Sequence, residues 1–257
     1  MSEIDDSKAP LLDHLIELRQ RLVRSILALA VAFGVCFYFA KDIFRFLAQP
    51  LVNVAGSGNR LIYTKLYEAF FTELKVAMFA AFFVAFPIIA NQVWAFIAPG
   101  LYKQEKRAFL PFLIATPVLF TLGAALAYYI VMPIAFRFLL GYQVSSGDLK
   151  IDALPSIAEY LSTVMQFIFA FGVAFLLPIL LMLLERAGII SLTQLKAGRR
   201  YAIVAAFVIA AVLTPPDVIS QLLLAVPLVL LYEIALIGIR LTHRRRSTAL
   251  TPTQEAP

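Results

Sequence analysis

Charge is scarce in this chain. Only 15% of its 257 residues are Asp, Glu, Lys or Arg, well under the roughly 25% of a soluble domain, while 61% are hydrophobic. Mean hydropathy is +0.86. An ordinary soluble domain is excluded, and a membrane protein remains. Cysteine is nearly absent: the single Cys36 lies inside an apolar run, so neither a disulfide framework nor a thiolate metal site can be built. The two histidines, His14 and His243, stand among charges and lack metal-ligand spacing, so they read as solvated side chains. No nucleophile elbow, HExxH helix, phosphate-cradling glycine loop or pair of intramembrane aspartates occurs. An enzyme is therefore not expected, nor any cofactor or metal. The net charge of +6 does not point to nucleic acid, because its Lys and Arg fall in short segments between apolar runs, where membrane topology requires them.

Six apolar runs are present: 22–40, 74–96, 108–140, 160–184, 201–213 and 218–239. A helix needs about 20 such residues to cross a hydrocarbon core of about 30 Å, so the fifth run is short and the third long enough to tilt. Of the 22 basic residues, fifteen fall in the N-terminal segment, the second-to-third and fourth-to-fifth connections and the C-terminal segment; seven fall in the longer loops that also carry Asp42, Glu68, Glu73, Asp148, Asp152 and Glu159. The positive-inside rule then places both termini in the cytoplasm. The charged N-terminus lacks a signal-peptide cleavage pattern and is expected to be retained. The reading is an all-α membrane protein of six transmembrane helices. Residues 1–240 form the membrane domain with an N-terminal amphipathic cytoplasmic helix, and 241–257 a basic, disordered tail.

Pro87, Pro111, Pro117, Pro133, Pro178 and Pro227 lie in or near the spans. Each removes a backbone donor, so the helices are expected to be kinked by prolines into a concave bundle, although tolerance of proline in membrane helices is an equal reading. No repeat relates the first three spans to the last three, which disfavours an inverted-repeat carrier. Ionisable residues are nearly missing from the span interiors, with Glu233 the main exception. It lies close to Arg240 and reads as an end-of-helix carboxylate. A small-solute secondary transporter is the alternative function, and buried charge is what it would need.

Two acids stand out on the basic side. "DHLIELRQRLVRS" reads as an amphipathic helix with Asp13 as N-cap, Leu11, Leu15, Leu18 and Leu22 on one face, and Glu17 four residues before Arg21. In "FIAPGLYKQEKR" the lone acid Glu105 stands among Lys103, Lys106 and Arg107. Such isolated carboxylates suit a guanidinium ligand, whose planar fork of donors a carboxylate can accept in bidentate fashion.

"HLIELRQRL", "AFIAPGLYKQEKR" and "LTPPDVISQ", in this order and with six spans, closely resemble the TatC family, the receptor and core subunit of the twin-arginine protein translocase. The resemblance runs from about residue 14 to about 240. It implies recognition of twin-arginine signal peptides of folded cargo, export driven by the proton gradient across the bacterial inner membrane, self-association, and assembly with the single-span partners TatA and TatB. It implies that Glu17, Arg19, Phe96 and Glu105 bind the signal peptide. It further implies a functional role for Pro50 in the first outward loop and packing of the partner helices at Thr214 and Gln221. A polar residue facing lipid is costly, and a partner helix would relieve it. One position departs: many family members carry a polar or acidic residue in the fourth span where this chain has Leu176, so any role for an intramembrane carboxylate there cannot be carried over, unless Gln166 or Glu159 substitutes.

Overall fold

A computed structural model describes the backbone of residues 3–55, 61–101, 106–142, 144–146, 149–151, 155–214 and 217–249. The chain is helical almost throughout, in two compact units: Met1–Val118 with Gln143–Met165, and Leu119–Tyr142 with Gln166–Pro257. The helices are α1 (Glu3–Tyr38), α2 (Ala40–Ala55), α3 (Glu68–Leu101), α4 (Lys106–Leu126), a π-helical turn (Ala127–Val131), α5 (Met132–Leu140), α6 (Ile157–Ala174), α7 (Leu177–Arg186), α8 (Leu192–Ala197), α9 (Arg199–Leu213) and α10 (Val218–Ala249). Between α5 and α6 the all-α expectation acquires one addition, an antiparallel hairpin of β1 (Val144–Ser146) and β2 (Leu149–Ile151).

Five stretches are long and apolar enough to cross a membrane: Leu15–Tyr38, Glu68–Phe96, Pro111–Leu140, Ile157–Arg186 and Val218–Thr242. The sixth expected span, α9, has 15 residues, and at 1.5 Å per residue reaches only about 22 Å. The amphipathic helix is not a separate element, for α1 runs unbroken from Glu3 into the first span, and Asp13 lies inside it rather than capping it. The basic segment after Ile239 likewise continues α10 as far as Ala249.

Proline acts unequally. Pro50, Pro87, Pro111, Pro117 and Pro227 sit within continuous helices. Pro133 and Pro178 sit in the first turn of α5 and α7, directly after an interruption. The missing N–H of Pro178 leaves the carbonyl four residues back without its helical donor, and the chain breaks at Phe175 and Leu176 before α7 begins. Ahead of Pro133 the helix widens instead, and the Met132 N–H donates to the Ala127 carbonyl five residues back.

In the first unit α1 packs on α3 through small residues, Ala32 and Cys36 against Ala81 and Ala85, with Leu29, Phe33 and Ile89 around them. Consecutive crossings of one bilayer run in opposite directions, so the start of α1 and the end of α3 share one end of the pair. Tyr160 of α6 donates its hydroxyl to the Leu47 carbonyl of α2 at 2.9 Å.

In the second unit Leu195, Leu236 and Ile239 are the buried centre of a cluster with Met182 and Tyr232. The Tyr232 hydroxyl donates to the Leu195 carbonyl at 2.7 Å, and Arg199 pairs with Glu233 at 2.8 Å. Glu233 is thus set level with the first residue of α9, at the end of the short helix, in keeping with its reading as an end-of-helix carboxylate. α4 and α6 meet through glycine: a Cβ on Gly123 would stand 2.4 Å from the Phe171 carbonyl oxygen, and one on Gly172 2.6 Å from the Phe120 ring. Phe120 and Phe171 are essentially buried.

Gly123→Ala should therefore force α4 and α6 apart and destabilise the second unit by about 1–3 kcal/mol, the usual cost of overpacking. Gly34→Ala, which meets nothing within 4 Å, serves as the control. Denaturant titration in detergent micelles measures both.

Candidate functional site

The residues expected to bind a signal peptide lie in the first unit. Glu17 projects from α1 four residues before Arg21, and its Oε1 accepts from Arg21 Nε at 3.0 Å and Nη2 at 2.5 Å. Helical spacing is the cause, since residues four apart stand over one another on one face. The pair is open to solvent, with side-chain exposures of 35% for Glu17 and 21% for Arg21. Arg19 is exposed two residues on, as is Arg24. Leu15, Leu18 and Leu22 of the expected apolar face are exposed too, at 60%, 43% and 56%. A helix that turns leucine outward on this scale fits contact with lipid.

Phe96 stands half-buried near the end of α3, at the same end of the α1–α3 pair as Glu17. Two residues earlier the buried Trp94 donates its indole N–H to Thr116 Oγ1 of α4 at 2.7 Å, and that hydroxyl donates to the Phe112 carbonyl at 2.7 Å. This relay fixes the end of α3 to α4 and so holds Phe96 in place. Sequence reasoning did not find it, because Thr116 gives no signal at a distance of 22 residues. Glu105 lies outside the described residues.

At the opposite end of the α1–α3 pair is a carboxylate cluster the sequence reading left unassigned. Glu68, in the first turn of α3, is 6% exposed. One of its oxygens accepts from the Thr64 N–H, the Thr64 hydroxyl and the Lys65 N–H at 2.6, 2.8 and 3.1 Å; the other accepts from the Ser156 hydroxyl and, at 3.0 Å, from the Ala158 N–H. Every partner is a donor, which suits an ionised carboxylate. Glu68 thus caps its own helix, closes the turn before it and takes up an amide of the first turn of α6. A parallel bridge between Ile62 and Ser156 lies alongside.

Pro50 is buried within α2, beside Leu47 and Leu51. Thr214 and Gln221 lie in the second unit, on either side of the α9–α10 turn. Thr214 is buried and donates its hydroxyl to the Ala210 carbonyl at 2.8 Å, while the half-buried Gln221 donates to the Phe207 carbonyl at 3.3 Å. The hydroxyl and amide therefore already have acceptors within the chain, so relief of lipid-facing polar groups does not by itself call for a partner helix. Asp217 caps α10 by accepting from the Ser220 N–H at 2.7 Å. Leu176 is half-buried at the break between α6 and α7, and Glu159 and Gln166 are exposed. Among the described residues no group of three His, Cys, Asp or Glu could hold a metal ion.

Two substitutions test these arrangements. Thr116→Val keeps the shape but removes the acceptor of a buried indole N–H, at a cost of about 1–3 kcal/mol, whereas Thr116→Ser should restore most of it; Trp94 fluorescence during unfolding reads both. Glu68→Gln replaces an acceptor oxygen by a donor nitrogen, so amide exchange at Thr64, Lys65 and Ala158 should accelerate while that of α1 stays unchanged.

Comparison with known proteins matches this architecture. The family described as "Sec-independent protein translocase protein (TatC)" matches residues 13–227. A TatC of Magnetococcus marinus is 51% identical over 94% of this chain and 88% of its own length, and that of Escherichia coli 43% identical over 90% and 88%. A crystal structure titled as the twin arginine translocase receptor TatC superposes with a TM-score of 0.77 at 44% identity, covering 89% of this chain and 98% of the other. With the family match spanning most of its length and relatives above 40% identity along nearly all of it, the chain belongs to the TatC family, membrane proteins that form part of a protein translocase and are not catalytic enzymes.

Proposed function

We propose that this chain is the signal-peptide receptor and core subunit of a twin-arginine translocase, with Glu17, Arg19, Phe96 and Glu105 forming the recognition site at the cytoplasmic surface of a bacterial inner membrane. The observation that carries this reading is the Glu17–Arg21 pair. The Glu17 carboxylate already holds a guanidinium through two N–H donors, in a position open to solvent, so a signal arginine would take the place of Arg21 in a contact of the same chemistry. Exposed ion pairs are worth little, which makes the exchange inexpensive. Phe96, braced by the Trp94–Thr116 relay, would meet the apolar part of the signal.

The basic residues of the N-terminal segment and of the connection after Leu101 support a topology with both termini in the cytoplasm. Residues 1–240 would form the membrane domain, bent into a concave surface at the proline sites, with 241–257 as its tail. On this reading six crossings are counted, α9 being the short one, and Pro50 stabilises the helix of the first outward loop. Self-association and single-span TatA- and TatB-type subunits complete the translocase, the latter packing at Thr214 and Gln221 beside the short α9. Folded cargo would be exported at the expense of the proton motive force.

Because Glu17 is partly exposed, Glu17→Ala should weaken binding of a twin-arginine peptide by only about 0.2–1 kcal/mol. Adding Glu105→Ala should deepen the loss, and replacing both signal arginines by lysine should reproduce it, since lysine lacks the fork. Isothermal titration or fluorescence anisotropy with the chain in nanodiscs provides the affinities. Equal affinity for the double variant and the parent chain would refute the site.

A further inference from the structure

A cleft of about 200 Å³ opens in the first unit between α2, the turn before α3 and the starts of α3 and α6. Its polar lining is Lys41, Arg45, Tyr63, Thr72 and Glu73, and its apolar side includes Phe44 and Ile157. We propose that this cleft binds the headgroup of a membrane phospholipid, with the phosphodiester at Lys41 and Arg45 and the ammonium of an ethanolamine headgroup at Glu73.

Three observations lead there. The first is depth. Lys41 and Arg45 follow within two turns of Tyr38, where the first span ends, while Glu73 lies just inside the span that starts at Glu68, and Ile157 is the first residue of another. The ends of three spans meet around the cleft, and span ends lie at the level of lipid headgroups.

The second is charge. Lys41 and Arg45 are one helical turn apart on α2, both exposed. Lys41 has no hydrogen-bond or ion-pair partner among the described residues, and Arg45 is engaged only by an outlying 3.4 Å contact to Asp42, whose side chain is 70% exposed. Glu73 is half-buried and also has no such partner among the described residues, although it shares the cleft with two cations. Unneutralised charges of both signs around one small space match a zwitterion better than a simple anion. A phosphodiester accepts from Lys, Arg and the Tyr63 hydroxyl, and a primary ammonium donates to a carboxylate.

The third is the apolar side. Phe44 and Ile157 offer a surface to the glycerol and upper acyl segments, which a free phosphorylated solute lacks. The same phosphate chemistry in water would leave these side chains unused.

The test uses the full chain, delipidated in detergent and titrated with phosphatidylethanolamine, phosphatidylglycerol or water-soluble glycerophosphoethanolamine, with retained lipid counted by native mass spectrometry. One phosphatidylethanolamine should be held in preference to phosphatidylglycerol. The double variant Lys41→Gln, Arg45→Gln should bind both lipids about tenfold more weakly, the loss of one charge-assisted contact. Glu73→Gln should abolish the preference for ethanolamine while keeping phosphatidylglycerol binding, and Arg45→Lys should retain most lipid, which a misfolded cleft would not. Undiminished retention by the double variant overturns the site. An unchanged ethanolamine preference in Glu73→Gln overturns the assignment of the ammonium, and glycerophosphoethanolamine binding as tightly as the lipid overturns the membrane source.

Discussion

A hydrocarbon bilayer offers a peptide group nothing to bond to, and the departures from regular helix at Pro133 and Pro178 are each answered by a group close at hand. Before Pro133 the ladder widens to a π turn, in which the Met132 N–H finds the Ala127 carbonyl. At Pro178 the ladder stops, and the Leu176 N–H turns back to the Val173 carbonyl in a tighter bond before α7 restarts. Hydroxyls follow the same rule. Ser25, Thr116, Thr163, Thr214 and Thr242 each donate to the carbonyl four residues back, so that a polar side chain on an apolar helix carries its own acceptor. Irregularity is placed where such compensation exists.

With hydrogen bonding settled within each helix, packing decides how the helices meet. Lipid tails are as apolar as leucine, so close approach rather than hydrophobic burial draws membrane helices together. Both units show it. Ala32, Ala81 and Ala85 bring α1 against α3, and Gly123 and Gly172 let α4 and α6 interlock through Phe171 and Phe120. The first span, by contrast, leaves much of its apolar surface outside, and only 11% of its most apolar stretch is buried within the chain. Charge is reserved for the helix ends, where Glu17 with Arg21 and Glu233 with Arg199 are partly exposed pairs that can open for a ligand.

Much of this was legible in the residues. Helical class followed from run length, the shortness of α9 from the distance between Arg200 and Thr214, and the family from three short motifs in order. What escaped were events set by distant partners. Glu68 reads as one acid in an outward loop, and nothing near it in sequence announces that Ser156 and Ala158 will donate to it. Trp94 and Thr116 look like isolated residues of two apolar runs until α3 and α4 come together. The amphipathic segment and the first span also look separable by composition, yet helix propensity carries α1 through both, since neither Gly nor Pro stands between Leu11 and Phe33 to stop it.

The Glu68 knot also bears on how the chain is made. Its carboxylate belongs to the first turn of α3, but one of its donors, the Ala158 amide, is 90 residues further along. At typical synthesis rates of about 5–20 residues per second, roughly 5–18 s separate the emergence of the acid from that of its last donor. Over that interval the α1–α3 pair must stand in the membrane with Glu68 served by Thr64 and Lys65 alone. The arrival of α6 completes the set, so the knot works as a latch that registers when enough of the nascent polypeptide has been inserted.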